Sequence, residues 1–185
     1  MYISSSLFTE TPDCTARTPS ETAVYDLLNR LHIPFVGCDH DHADTIEMCH
    51  CIEKVLDVAI CKNLFLCNTQ HTNFHLLLMP GDKKFKTKDF SKQIGSSRLS
   101  FADAQHMEEF LGLTPGSVSV LGLMNDKEHR VKLSIDRDLL QDTYIGCHPC
   151  MNTSTLKIKL SDILNVFLPH FGIVPTVVEL PVYEE

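Results

Sequence analysis

The chain has 185 residues, 43% of them hydrophobic, which suits one globular domain with a sizeable core. Its formal net charge of −8 speaks against non-specific binding of long nucleic acid, which takes many phosphate-neutralising cations. There is no run of about 18 apolar residues, and the start, Met1 to Ser6, lacks a basic n-region, so neither a membrane helix nor a secretory signal is expected and a soluble cytoplasmic protein is the reading.

Residues 1–20 are rich in Ser, Thr and Pro without a period, so they read as an extension or an ordered arm. Thr18-Pro19-Ser20-Glu21 is a helix start, and Val24, Leu27, Leu28 and Leu31 follow at three- and four-residue steps until Pro34 excludes further helix. Phe35 to Cys38 is a short strand, and a second helix runs from Thr45 to about Leu56. Val58 to Cys67, broken only by Lys62-Asn63, and Phe74 to Met79 read as buried strands. Helices are expected from Phe85 to Ile94, stopped by Gly95, and from Ala102 to Leu111, closed by Gly112. Val118 to Met124 and Val131 to Ile135 read as strands around a turn at Asn125 to Glu128. Leu156 to Leu160 alternates apolar and basic, as an edge or half-exposed strand does. Ser161 caps a last helix over Asp162 to His170, and Val177 to Leu180 is a last strand. These elements predict an α+β (mixed α/β) fold: one compact domain over 21–185 with a central mixed β-sheet flanked by helices, after the 1–20 extension.

Several positions can carry chemistry. A lysine inside an apolar run is costly, so Lys62 either snorkels to solvent or carries a function, its cation suited to a phosphate or a developing oxyanion. Gly95-Ser96-Ser97-Arg98 is a phosphate cradle or an ordinary helix cap. Pro115-Gly116-Ser117 is a tight turn whose backbone N–H groups can meet a carbonyl oxygen. Gly146-Cys147-His148-Pro149, shortly before Asn152, holds a histidine in a constrained loop where it can orient a substrate or a water. Lys83, Lys84, Lys86, Lys88, Lys92 and Arg98 form a local basic excess. The eight cysteines read as reduced thiols. Cys49-His50-Cys51 and Cys147-His148-Pro149-Cys150 lie far apart and do not make a standard zinc ligand set; Asp39-His40-Asp41-His42 reads as a polar strand end.

Five segments in this order resemble the YbaK/ProX family of prolyl-tRNA editing proteins: Cys61 to Leu66, Ile94 to Phe101, Leu113 to Val118, Gly122 to Asp126, and His148 to Thr153. The resemblance runs from about Glu21 to about Leu180. It is nearest to the free-standing ProX branch, the Ala-tRNA(Pro) deacylases, which also resemble the insertion domain of bacterial prolyl-tRNA synthetases. What it implies is a hydrolase of the aminoacyl ester of mischarged tRNA(Pro), with alanine removed and no metal or organic cofactor. Lys62 matches the family's lysine ahead of Asn-Leu-Phe-Leu. Gly116 matches the first position of its G-x-x-x-P loop, with Val120 in place of the proline, and His148-Pro149 matches its His-Pro loop.

The resemblance therefore implies a catalytic set of Lys62, Gly116 and His148. Its substrate-binding set adds Asn63, Ser97, Arg98, Ser117, Asn125, Gly146, Pro149 and Asn152, while Cys147 and Cys150 read as packing residues. The implied partners are the 3′ end of mischarged tRNA(Pro) and prolyl-tRNA synthetase, with no membrane and no DNA. Three alternatives stand beside this: a Cys-tRNA(Pro) deacylase, a non-catalytic tRNA- or synthetase-binding module of the same fold, and a zinc-dependent hydrolase built on the Cys/His clusters.

Overall fold

The structure is a computed structural model and describes residues 2–43 and 45–183. Helix α1 (Pro19–Arg30) begins at Thr18, whose side chain accepts from the Glu21 N–H, and buries Val24, Tyr25, Leu27 and Leu28. Strand β1 (Phe35–Asp39) and helix α2 (Ile46–Leu56) follow, then β2 (Lys62–Asn68), β3 (Phe74–Met79), α3 (Thr87–Gln93), β4 (Leu99–Phe101) and α4 (Ala104–Leu111). A 3-10 turn over Val120–Asn125 leads to β5 (Val131–Asp136), and a second over Arg137–Gln141 leads to β6 (Tyr144–Cys147) and β7 (Ser154–Lys159). A helical stretch closes this part: α5 (Leu160–Asp162), a π turn (Ile163–Phe167) and α6 (Leu168–His170). Strand β8 (Thr176–Val178) comes last.

The mixed sheet expected from the sequence is five-stranded, in the order β4-β2-β3-β5-β8. Its β4-β2 and β2-β3 pairs are antiparallel and its β3-β5 and β5-β8 pairs parallel. A second, antiparallel sheet of order β1-β7-β6 stands beside it. Strand alternation divides β2 between two cores. Phe65 and Cys67 join the larger one, with Leu27 and Leu28 of α1 and Ile145, Leu156 and Ile158 of the small sheet. Leu66 joins the smaller one with Leu77, Met79, Leu99 and Phe90 of α3, and Leu64 packs against it. Lys62 falls on the face of Leu64 and Leu66.

One joint ties the two sheets together. Ile60 pairs with Gly146, whose N–H donates to the Ala59 carbonyl at 2.8 Å, while the Cys61 N–H donates to the Gly146 carbonyl at 3.1 Å. A Cβ on Gly146 would lie 3.0 Å from Ile60 Cγ1 and 3.1 Å from Ile60 Cα, so glycine is what allows this approach. The amino-terminal arm is ordered along β1: the Phe8 and Gly37 N–H groups donate to each other's carbonyls, and Arg17 Nη2 binds Asp39 Oδ2 at 2.7 Å.

Four elements differ from their sequence reading. Val118 to Met124 is not a strand; the Ser119 hydroxyl accepts from the Leu121 N–H and starts a 3-10 turn instead. A short apolar run fits a strand or a buried helical turn equally well. β2 begins only at Lys62, because the residues before it are engaged in the Gly146 joint. β7 is the central strand of its sheet, so of its two readings the edge fails and the half-exposed strand holds: Lys157 is half-buried and reaches the Leu56 and Asp57 carbonyls, and Lys159 is exposed. The last helix starts at Leu160 without a side-chain cap from Ser161 and widens to a π turn just before Pro169, which lacks the N–H a regular helix needs. β6, a strand ahead of His148, has no counterpart in the sequence reading. Among the described residues, no helix is long and apolar enough to cross a membrane.

Candidate active site

A cavity of about 690 Å³ opens where three distant segments meet: the start of β2, the Pro115-Gly116 turn and the end of β6. Lys62, Asn63, Gly116 and His148 all line it. The Gly146 joint is what brings His148 to Lys62, since it locks β6 against the residues just before β2.

Lys62 is half-buried at this site, and its ammonium donates to the Lys83 carbonyl at 2.7 Å. Burial lowers its pKa from the usual lysine value, against the opposing pull of Asp82. Asn63 donates from Nδ2 to the Cys61 carbonyl at 3.2 Å, while its Oδ1 is buried with no hydrogen-bond partner among the described residues. Such an acceptor costs roughly 1–3 kcal/mol, and functional sites are where that cost is commonly retained.

Gly116 occupies the third position of a tight turn closed by the Ser117 N–H on the Thr114 carbonyl at 3.0 Å. Its φ of +88° is the conformation such a turn demands after proline, and it turns the Gly116 backbone toward the cavity. Among the described residues the Gly116 N–H has no hydrogen-bond partner. A Cβ at Gly116 would meet only Asn152 Nδ2, at 3.5 Å, so the torsion and not crowding selects glycine. Ser117 is buried beneath the turn and donates its hydroxyl to the Thr114 carbonyl at 2.8 Å.

His148 Nδ1 lies 2.9 Å from the Ser154 carbonyl. A carbonyl only accepts, so Nδ1 carries the proton and Nε2 of the neutral ring is an acceptor. Burial lowers the pKa of His148, with neighbouring His40 pulling the same way, and so favours that neutral ring. The loop holding it is fixed from outside: the His40 N–H donates to the Thr153 carbonyl at 2.9 Å, and Asn152 Oδ1 accepts from the Ala43 N–H at 3.2 Å. Gly146 and Pro149 are buried behind the histidine.

The other residues named from sequence lie elsewhere. Ser97 and Arg98 are exposed between α3 and β4, and Asn125 donates to the Leu111 carbonyl at 2.7 Å, fastening the end of α4. None of these three lines the cavity. Lys83 also leaves the basic patch: it is buried and bridges Asp136 and Asp138, each at 2.7 Å. Lys84, Lys86, Lys88, Lys92 and Arg98 remain exposed.

What the sequence did not suggest is the acidic wall. Glu53, Asp82, Asp138 and Asp142 line the same cavity as Lys62. Burial, with help from Asp82, raises the pKa of Asp142, as expected of carboxylates gathered in one hollow. They come from three separate segments, Glu53 from α2, Asp82 from the turn after β3, and Asp138 and Asp142 from the second 3-10 turn and its end, and no motif marks them. A hollow of this kind favours a small cation and repels a phosphate.

Among the described residues, neither Cys/His cluster brings three ligand atoms together. Among the described residues one group, His71, Asp103 and His106, brings three ligand atoms within 4.8 Å of one another, and it does not line the cavity. Cys147 and Cys150 sit in the main core, and burial pushes the Cys150 thiol up to about 12 and the Cys147 thiol well above its usual value. A thiolate nucleophile there is disfavoured.

The chain matches the family model of the aminoacyl-tRNA editing domain over residues 40–166. It is 31% identical over 144 residues to the prolyl-tRNA editing protein ProX of Acetoanaerobium sticklandii, which covers 78% of this chain and 88% of that one. Prolyl-tRNA synthetase associated domain-containing protein 1 of Danio rerio is 30% identical over 141 residues, covering 75% and 76% of the two chains. A solved structure described as a candidate trans-editing enzyme for prolyl tRNA synthetase superposes with a TM-score of 0.66 at 16% identity, over 90% of this chain and 100% of that one, and so shares the fold.

Proposed function

The chain belongs to the aminoacyl-tRNA editing domain family, and we propose that it is a trans-editing deacylase that hydrolyses the ester of mischarged tRNA(Pro), with alanine as the amino acid removed. The observation that carries this reading is the convergence of Lys62, Gly116 and His148, far apart in sequence, on one cavity.

Hydrolysis of an aminoacyl ester is attack of water on an already activated carbonyl. Positioning and oxyanion stabilisation therefore matter more than a strong nucleophile. The Gly116 N–H donates to the aminoacyl carbonyl oxygen as negative charge develops on it. His148, protonated on Nδ1, presents Nε2 as an acceptor to the attacking water or a ribose hydroxyl. Lys62, at the mouth, exchanges its contact with the Lys83 carbonyl for the phosphate of the terminal adenosine. Asp138 and Asp142 offset the charge of the substrate's α-ammonium group.

A volume of about 690 Å³ is that of a site for a whole aminoacyl-adenosine and not for an amino acid alone. Proline is therefore excluded at the inner end, by the Gly116 turn and the His148 loop, where overpacking a rigid wall costs roughly 1–3 kcal/mol. Steric rejection of this kind is the second sieve that editing requires. The reading places the protein in the cytoplasm, receiving tRNA(Pro) released by prolyl-tRNA synthetase.

The experiment is deacylation of Ala-, Cys- and Pro-charged tRNA(Pro) side by side. Alanine is expected to leave fastest and proline to stay. Faster loss of cysteine reassigns the substrate, and no hydrolysis of any of the three leaves a binding module.

A further inference from the structure

A second hollow, of about 510 Å³, lies next to the first and shares Lys62 with it. Leu64, Phe85 and Phe101 supply its apolar surface, and Lys86 and Lys88 its charge. Among the described residues, no carboxylate lines it, in a chain whose net charge is −8.

Its geometry follows from the sheet. Phe101 pairs with Leu66 across the β4-β2 ladder, so it projects on the face that carries Leu64 and Lys62. β4 is the edge strand, and among the described residues no further strand pairs beyond it. Phe101 is 62% exposed, an unusual state for a phenylalanine on a sheet, and meets Phe85 edge-on at 6.4 Å between ring centroids. Lys86 stands with its ammonium 3.7 Å from the centroid of the Tyr183 ring. An exposed aromatic face flanked by lysines is what a single-stranded nucleotide needs: the ring stacks on the base and the cations meet the phosphates, without dependence on sequence.

We propose that this groove seats the nucleotide that precedes the terminal adenosine of the tRNA 3′ end, its base on Phe101 and its phosphate between Lys86 and Lys88. The proposal rests on the deacylase reading, which places the terminal adenosine at Lys62. Lys62 lines both hollows, so the strand passes from one to the other over it. Charge sorts the substrate along the way: the phosphates lie on the lysine side and the aminoacyl ammonium on the acidic side.

The test uses the full chain and a CCA trinucleotide with pyrrolocytidine as the penultimate base, a fluorophore quenched by stacking. Wild type is expected to quench it. Phe101→Ala should weaken that binding about tenfold, the usual range for one base–aromatic stack, and Phe101→Trp should retain it. Circular dichroism reports on folding, and Lys86→Glu with Lys88→Glu should weaken binding independently. In parallel, the ratio of kcat/KM on Ala-tRNA(Pro) to that on alanyl-adenosine should fall about tenfold in Phe101→Ala. An unchanged ratio with equal quenching by wild type and Phe101→Ala overturns the groove while leaving the deacylase reading intact. Failure of wild type to hydrolyse any mischarged tRNA(Pro) removes the deacylase reading, and the quenching titration still decides whether the groove takes a nucleotide. Absence of quenching together with a dimer that Phe101→Ala dissociates assigns the groove to a second copy of the chain and overturns the proposal.

Discussion

The two hollows beside Lys62 have opposite characters. One is walled by Glu53, Asp82, Asp138 and Asp142; the other carries Lys86 and Lys88 and, among the described residues, no carboxylate. A net charge of −8 describes neither of them. Fields are local at protein surfaces, screened over roughly 8–10 Å at physiological salt, so an acidic chain can keep a basic track for phosphates. Lys62 stands on the border and, among the described residues, is the cation common to both.

The lysine run 83–92 offers the sharpest way to break this comparison, because its members look alike in sequence and not in the fold. Lys83 is buried on Asp136, which is fully buried, and on Asp138. Lys83→Met leaves a buried carboxylate without its cation and should cost about 3–5 kcal/mol in urea denaturation. Lys86→Met, on the surface, should stay within about 0.5 kcal/mol. Similar small costs for both would return Lys83 to the exposed patch.

Next in size is Lys62→Ala, which acts on both hollows at once. Single-turnover hydrolysis of Ala-tRNA(Pro) should fall by about a hundredfold, the scale of losing one preorganised electrostatic contact, with an unchanged circular dichroism spectrum. A loss below threefold would remove Lys62 from the mechanism.

A smaller effect concerns the buried histidines. Burial lowers the pKa of His40 and His148, and burial with Lys132 nearby lowers His75 to about 4. Unfolded histidine takes up its proton near 6.5. Between about pH 6.5 and 4 the unfolded chain therefore binds more protons, and stability present above 6.5 is lost as the pH falls. Thermal melts should show Tm dropping across that window, and His75→Phe should flatten part of the drop. A Tm independent of pH there would mean that these rings are protonated in the fold.

Much of this architecture was legible in the sequence, for identifiable reasons. Thr18 and Thr45 cap helices as short-range hydrogen bonding dictates, and Gly112 takes the left-handed torsion that ends α4. Lys62, Gly116 and His148 stood out because each is odd locally: a cation in an apolar run, a glycine after proline, a histidine in a constrained loop. The approach of His148 to Lys62 depends on the Ile60–Gly146 joint, a long-range contact that no local pattern encodes. The acidic wall was missed for the same reason, since its four members come from three segments distant in sequence. Val118 to Met124 was misread because a short apolar run does not declare its period. Ser97 and Arg98 follow a helix end as a phosphate cradle does, yet the chain turns them to solvent away from the cavity.

The smallest expected effect is on the exposed lysines. Replacing Lys84, Lys86 and Lys88 together by Glu should weaken tRNA binding and flatten its dependence on salt, because fewer counterions are released. An unchanged slope in a folded variant would move the phosphate track elsewhere.

The division of labour between the hollows is tested most directly with the wild-type protein alone, by measuring kcat/KM on Ala-tRNA(Pro) and on alanyl-adenosine at rising salt. With phosphates held on the basic side and the ester cleaved on the acidic side, the value for tRNA should fall steeply while that for alanyl-adenosine stays nearly level. Parallel salt dependence on the two substrates would contradict the division.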